Sequence, residues 1–91
     1  MAHLPLDHLS DSLSVAAQQV QLGGTYTHYK EAAKTYTVTQ LLILESTDEV
    51  GVVYRANYDE RISFVRPLQE WLEHVEYHGK QVSRFTPASS S

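Results

Sequence analysis

Two runs of alternating apolar and polar residues in the middle of the chain predict a β-hairpin. The apolar residues of the first run occupy every second position from Val52 to Ala56, and those of the second run are Ile62 and Phe64. Because side chains alternate between the two faces of a strand, this spacing is typical of half-buried strands. The register that keeps apolar residues opposite one another pairs Tyr54 with Phe64.

A short amphipathic helix is predicted directly after the hairpin, over about residues 67–75. Pro67 has a φ that suits the first position of a helix, and it keeps the residue before it extended. Four apolar residues then follow at helical spacing and form one stripe; they are Leu68, Trp71, Leu72 and Val75. The stripe must pack on the sheet, and we expect Trp71 to be a core residue.

The first 22 residues form a distinct segment, since they contain no Lys, Arg, Phe, Trp or Tyr. Apolar residues recur at helical spacing from Leu6 to Val20, and Gly23 and Gly24 are suited to the end of a helix and a turn. The pattern predicts an N-terminal helix within residues 1–22, with a flexible leader as the alternative. The apolar face of this helix would cover either the domain's own core or the same face of a second copy, so a homodimer through the helix is one candidate assembly.

The remaining segments predict further strands joined by short turns. We expect a strand at 25–31, a connector at 31–34, a long strand at 35–45, a polar turn at 46–49 and a last hairpin, 75–77 and 81–85, turning at Gly79. Such an order predicts a mainly β (α+β) fold, either a small, strongly bent antiparallel sheet or an SH3-like barrel. Residues 23–86 are expected to form one small β domain, followed by a disordered tail at 87–91.

Composition excludes several classes of protein. The 91 residues include no Cys, which excludes disulfides, thiolate metal sites and Cys nucleophiles. Neither a run of about 18 apolar residues nor a cleavable leader occurs, so we expect a cytoplasmic, or else nuclear, protein without membrane contact. The formal net charge of −4 argues against strong nonspecific binding to nucleic acid, although a local basic patch is compatible with it.

Several short motifs occur in order between residues 23 and 85. They are Gly24, Tyr26, His28-Tyr29-Lys30, Tyr36, Val38, Val53-Tyr54-Arg55-Ala56, Val65-Arg66-Pro67, Trp71, Val75, Gly79 and Arg84-Phe85. Together they resemble the family known as domain of unknown function 1653, whose members are typically short, stand-alone bacterial proteins. The resemblance implies a compact, mostly β domain and brings no established reaction. Residues 1–22 lie outside it.

Basic residues and tyrosines occur together in the strands of this otherwise acidic chain. Arginine beside tyrosine suits a planar anion or a stacked base, because the guanidinium forks onto carboxylate or phosphate while the ring offers a face. The sequence therefore predicts a binding module for an anionic or aromatic ligand, namely single-stranded RNA, a nucleotide or an acidic peptide. The candidate ligand-binding residues are His28, Tyr29, Lys30, Tyr54, Arg55 and Arg66, with Tyr58 beside them.

The same residues also admit a structural interpretation. Arg55 and Arg66 could form ion pairs with nearby Asp or Glu residues, and tyrosines are common on half-buried sheets. The hairpin register places Arg55 and Arg66 on opposite faces, so we do not expect them to share one site.

Catalytic and metal-binding functions are weaker interpretations. A small enzyme, or a regulatory subunit of one, could use His28 as the titrating group with Arg66 holding a negative charge. However, no nucleophile, phosphate-loop or dinucleotide motif occurs, so neither a catalytic residue nor a cofactor is predicted. Glu70, His74 and His78 have the spacing of metal ligands on a helix, but a turn is predicted just after them, and no metal site is expected.

Overall fold

The computed structural model describes residues 4 to 88. A five-stranded antiparallel sheet has the strand order β4-β3-β2-β1-β7, and β5 and β6 form a separate two-stranded sheet. The elements, in chain order, are α1 (Leu6–Gln19), β1 (Thr25–His28), β2 (Glu31–Ile43), β3 (Val50–Ala56), β4 (Ser63–Pro67), α2 (Leu68–Trp71), β5 (His74–Tyr77), β6 (Lys80–Ser83) and β7 (Phe85–Pro87). The predicted mainly β fold with an N-terminal helix and a short second helix is confirmed. The sheet is strongly curled and not closed, as in the bent-sheet alternative.

The β3–β4 hairpin has the predicted register. Tyr54 lies opposite Phe64, and the Ala56 N–H donates to the Ile62 carbonyl at 2.9 Å. Alternation along β3 puts Val52, Tyr54 and Ala56 on the buried side. That side is the concave face of the curled sheet, because it carries the residues of the hydrophobic core.

The core is built from aromatic and branched side chains that come from distant parts of the chain. Trp71 is 3% exposed, as predicted for a core residue. Its indole lies 5.2 Å from the Tyr26 ring and 5.0 Å from the Tyr54 ring, centroid to centroid. The buried members of the core are Val20, Tyr26, Val38, Val52, Tyr54, Trp71 and Phe85.

The N-terminal helix packs on the domain's own sheet. Ala16 and Val20 are fully or almost fully buried at its C-terminal end. Two backbone hydrogen bonds then fasten the following turn to β2: the Gly23 N–H donates to the Val38 carbonyl at 2.8 Å, and the Val38 N–H donates to the Gly24 carbonyl at 3.0 Å. Of the two coverings considered for this apolar face, the structure has the intramolecular one. Within residues 4–88, no helix is long and apolar enough to cross a membrane.

Several predicted boundaries differ from the structure. The predicted last strand, 81–85, is divided between β6 (Lys80–Ser83) and β7 (Phe85–Pro87), which belong to different sheets. Residues 31–34 are not a connector, because β2 begins at Glu31 and pairs there with His28 at a register shift in β1. The second helix does not extend to residue 75 but ends at Trp71, because Val75 pairs with Val82 in the β5–β6 hairpin instead of continuing the helical stripe. The predicted tail begins with Pro87, which lies in β7, and residues 89–91 lie outside the described part of the chain.

Candidate ligand-binding site

An open pocket of about 240 Å³ lies on the concave face, between side chains of β4 and β7. The curl of the sheet brings these two outermost strands together, since the guanidinium carbon of Arg66 is 5.8 Å from the centroid of the Phe85 ring. The residues that line the pocket are His28, Tyr36, Tyr54, Phe64, Arg66 and Phe85.

Tyr54 is the centre of the aromatic wall. Its ring centroid lies 5.5 Å from Tyr36, 5.5 Å from Phe64 and 5.3 Å from Phe85. The contacts with Tyr36 and Phe85 are edge-to-face, while Phe64 is tilted by 31°. These separations are those of favourable aromatic pairs. Tyr54 and Phe85 are each only 6% exposed and form the packed base of the wall, while Phe64, which is 43% exposed, offers a surface on which a planar group can lie.

Arg66 brings a positive charge to the pocket. It lies opposite Val52 and so projects from the same face as Tyr54 and Phe64. One of its terminal nitrogens, Nη1, is 3.2 Å from the Glu70 carboxylate, whose side chain is half exposed. Its Nε is buried and makes no hydrogen bond within the described residues. Because Glu70 is half exposed, the ion pair contributes only about 1 kcal/mol, so it leaves Arg66 able to bind a further anion.

His28 is held neutral beside this cation. Burial lowers the pKa of its imidazole below 6.5, and the positive charges of Arg66, Arg84 and Lys30 lower it further. The backbone N–H of Lys30 donates to His28 Nδ1 at 3.2 Å. Since Nδ1 accepts a hydrogen bond, the proton of the neutral ring is on Nε2. His28 therefore brings a hydrogen-bond donor to the pocket.

Tyr36 contributes an uncharged phenol. Burial, followed by its hydrogen bond with the Tyr58 hydroxyl, raises the pKa of Tyr36 to about 12. The two phenol oxygens are 3.4 Å apart. Around neutral pH, Tyr36 thus adds no negative charge that would repel an anion from Arg66.

The structure brings together three of the predicted site residues, His28, Tyr54 and Arg66. Tyr29 and Lys30 flank them in the β1–β2 turn, where the Tyr29 ring packs against His28 at 4.6 Å and against Tyr77 at 5.3 Å.

Arg55 is not part of this pocket. It pairs with Ser63 and Thr37 on the opposite face of the sheet, as the hairpin register predicts. Tyr58 lies in the β3–β4 loop and does not line the pocket, but it contacts Tyr36, which does, through its hydroxyl and through an edge-to-face ring contact at 5.7 Å.

Sequence reasoning did not select Tyr36, Phe64 or Phe85 as site residues. The signal for Phe64 was present, because the predicted register already placed it opposite Tyr54. Tyr36 and Phe85 had no comparable signal. Phe85 is brought in by the pairing of β7 with β1, two strands that are far apart along the chain.

Glu70, His74 and His78, whose spacing is that of metal ligands on a helix, do not lie on one helix in the structure. His74 lies in β5, and His78 lies in the β5–β6 turn with a φ of 54°. No group of three His, Asp or Glu side chains among residues 4–88 is arranged to hold a metal ion.

A second groove, of about 620 Å³, separates α1 from the β2–β3 turn. It is larger than the site described above, but it is lined by Asp11, Asp48 and Glu49 and has no Lys or Arg among the described residues of its lining.

Comparison with known proteins identifies a family whose matched span includes the pocket. The sequence model of the family described as "Protein of unknown function (DUF1653)" matches residues 24–87, a span that includes every residue lining the pocket. The chain belongs to this family. It is also similar to the crystal structure of a DUF1653 protein from Bordetella bronchiseptica, with a TM-score of 0.67 and 30% identity, over 81% of this chain and 94% of that one. No curated protein matches the sequence. Helix α1 lies before the matched span, as does part of the lining of the larger groove.

Proposed function

We propose that this DUF1653 protein is a non-catalytic binding module whose pocket at His28, Tyr54 and Arg66 takes an anionic or aromatic group. The observation that carries the proposal is the composition of the pocket: one guanidinium, one neutral imidazole and four aromatic rings, with no carboxylate in its lining among the described residues. In a chain whose formal net charge is −4, such a lining is selective for an anion that has a flat apolar part.

The guanidinium of Arg66 supplies the charge recognition. Guanidinium groups hold carboxylates and phosphates through paired N–H donors, and such charge-assisted hydrogen bonds are about twice as strong as neutral ones. Arg66 already lies over the Phe85 ring, an arrangement that restrains the guanidinium plane before a ligand arrives. A ligand carboxylate or phosphate that reaches Arg66 therefore has its planar part directed towards Tyr54 and Phe64.

The geometry of His28 favours binding over catalysis. A general base needs a free lone pair close to the substrate. The Nδ1 lone pair of His28 already accepts the Lys30 N–H, and its Nε2 carries the proton. We therefore assign His28 the role of a hydrogen-bond donor to the ligand and keep it outside any proton-abstraction step.

The test is an NMR titration of ¹⁵N-labelled protein with benzoate and, separately, with uridine 5′-monophosphate. Each is an anion with a planar group. We expect shifts centred on the pocket residues and weaker binding at high salt. In the variant Arg66→Gln the affinity should fall by about 10- to 100-fold, the equivalent of losing a charged hydrogen bond.

Arg61→Gln is the matched control, because Arg61 lies in the β3–β4 loop with a side chain that is 90% exposed and paired with Asp59. It should bind both probes like the unmodified protein. Equal binding by Arg66→Gln, or shifts outside the pocket, would overturn the proposal. The melting temperature of Arg66→Gln should fall only modestly, because the ion-pair partner Glu70 is half exposed and the glutamine keeps part of the aliphatic side chain of Arg66.

A further inference from the structure

The outer edge of β4 is open. β4 is the last strand of the five-stranded sheet and pairs only with β3. Ala56 donates to Ile62, and the regular register then has Phe64 and Arg66 hydrogen-bonded to β3. The N–H and C=O groups of Ser63 and Val65 consequently point away from the sheet. Neither residue has a hydrogen bond to any other element within residues 4–88.

β4 has few of the features that usually prevent another strand from pairing with an edge; those it has are its length of five residues and one inward-pointing charge, Arg66. It contains no Lys, and its register with β3 is continuous, without a bulge. Its only proline is Pro67, at the end. Apolar side chains are exposed on both of its faces, with Phe64 43% and Val65 51% exposed. The edge can therefore accept an additional strand.

This edge borders the pocket. The side chains of Phe64 and Arg66 both line the pocket. Because the backbone groups of these two residues bond to β3, both would be non-hydrogen-bonded positions opposite an added strand. Residues directly opposite such positions have their Cα atoms about 4.5 Å away. A strand added antiparallel to β4 would thus have one residue facing Arg66 and, two positions later, one facing Phe64. The residue between them would face Val65 on the convex side.

We infer that the ligand of the pocket is an extended acidic peptide that adds to β4 as a sixth, antiparallel strand, with an acidic residue opposite Arg66 and an aromatic or apolar residue opposite Phe64. This inference rests on the function proposed above and specifies its ligand. Charge complementarity gives the acidic position: Arg66 is the cation of the pocket, and no carboxylate lines the pocket within the described chain. Arg84 and Lys30 lie near His28 outside the lining, and Glu70 and Glu73, the ion-pair partners of Arg66 and Arg84, are half exposed.

The open edge also distinguishes a peptide from a nucleic acid. Ser63 and Val65 present two donors and two acceptors, and a second peptide strand can pair with all four. The phosphate groups of a nucleic acid offer acceptors only and cannot pair with the two carbonyls, so RNA would have to supply both donors from its 2′-hydroxyls or bases. The edge therefore favours a peptide over single-stranded RNA.

The probe is the acetylated and amidated hexapeptide Ser-Thr-Glu-Val-Tyr-Thr, whose Glu, Val and Tyr fall opposite Arg66, Val65 and Phe64. Hydrogen exchange of the labelled protein reports strand addition residue by residue. With peptide at about nine times its Kd, exchange of the Ser63 and Val65 amides should slow about tenfold, since protection follows 1 + [L]/Kd. The Phe64 amide, already bonded to β3, should change less.

Two controls isolate the backbone contacts. The same peptide with N-methyl groups on its Val and last Thr keeps every side chain but loses the two N–H groups that would pair with β4. The variant Val65→Pro removes only the outward N–H, a substitution that edge strands tolerate. Both changes should abolish peptide binding, while benzoate still binds Val65→Pro.

The outcomes separate the inference from the proposed function. Benzoate binding without protection of Ser63 and Val65 by the hexapeptide would overturn the inference and leave the proposed function intact. Binding of a uridylate hexamer in place of the peptide would also overturn it, in favour of RNA. If neither benzoate nor the nucleotide binds, the proposed function fails. Should Val65→Pro not fold, the N-methylated peptide alone decides the backbone question with the unmodified protein.

Discussion

The indole of Trp71 and the ring of Phe85 stack face to face, with centroids 3.8 Å apart and planes inclined by only 8°. Trp71 ends α2 and Phe85 begins β7, so the stack joins the short helix to the last strand of the sheet. Phe85 also lines the pocket and supports Arg66. The stack is therefore part of the core, and it also supports the ring over which Arg66 lies in the candidate site.

The first prediction concerns this stack. Phe85→Ala removes a buried ring that contacts Trp71, Tyr54 and Tyr36, and should lower the free energy of unfolding by about 3–5 kcal/mol. Phe64→Ala is the matched control, because Phe64 is in the same sheet but 43% exposed, and it should cost about 1 kcal/mol. Urea unfolding followed by Trp71 fluorescence measures both. Equal losses would contradict the central role of Phe85.

The second prediction compares two glycines with different surroundings. A Cβ on Gly24 would lie 2.9 Å from the backbone carbonyl oxygen of Gln21, the same atom that accepts the Gly24 N–H at 3.0 Å. Neither partner can move without disturbing the turn between α1 and β1. Gly24→Ala should therefore reduce the free energy of unfolding by about 1–3 kcal/mol.

Gly51→Ala is the control for this substitution. Its Cβ would meet a methyl group of Leu42 at 2.9 Å, at the end of a flexible side chain, and a methyl group of Val65 at 3.0 Å, on a side chain that is 51% exposed on the convex face. The lost freedom of the unfolded chain also offsets the cost by about 0.4–1 kcal/mol. We expect a net change within about 1 kcal/mol in thermal or urea unfolding. A larger loss at Gly51 than at Gly24 would contradict the argument.

The sequence was sufficient for the fold where local pattern and tertiary pairing agree. The β3–β4 hairpin is the clearest case, since alternation alone set Tyr54 opposite Phe64. Val75 shows where local pattern fails. It continues the helical stripe of Leu68 and Trp71 in sequence, but the turn at His78 and Gly79, both with positive φ, draws it into β5. The competing hairpin thus shortened the helix.

The candidate site was predictable only in part for a similar reason. His28, Tyr54 and Arg66 were predictable because each has a side chain that can bind a ligand and each lies in a short sequence motif. Phe85 completes the pocket through the β1–β7 pairing, a contact between strands near opposite ends of the family domain. Such a contact has no periodic signal, because it depends on how far the sheet curls.

The third prediction concerns assembly through α1. Its inward face carries Ala16, which is fully buried on the domain's own sheet. The large apolar residues left exposed on the helix, Leu6 and Val15, are nine positions apart and so lie on opposite sides of it. Leu9 and Leu13, on the side of Leu6, are half-buried. The exposed apolar surface of α1 is therefore small, and sedimentation equilibrium should give the mass of a single chain. A dimer whose mass falls by half in Val15→Glu would contradict this expectation.

The fourth prediction is a pH dependence of stability that originates at His28. Its pKa is lower in the folded protein than the ordinary value of 6.5, chiefly because of burial. Between the two pKa values the unfolded chain binds more protons than the folded one. The contribution to stability is therefore fully present above pH 6.5 and is lost as the pH falls through the folded pKa. His28→Gln should flatten this part of the unfolding free energy between about pH 7.5 and pH 5, relative to the unmodified protein.

The same imidazole reports on its neighbours and on ligand binding. Among the neighbouring cations, Arg66 has the largest effect on the pKa of His28. In an NMR titration of Arg66→Gln this pKa should therefore rise. It should stay below 6.5, because burial lowers it more than Arg66 does. Arg61→Gln, remote in the β3–β4 loop, should leave it unchanged. Benzoate bound at Arg66 adds a nearby negative charge, which stabilises imidazolium and should also raise the pKa of His28. If benzoate binds and the pKa of His28 does not move, the anion lies elsewhere than between His28 and Arg66.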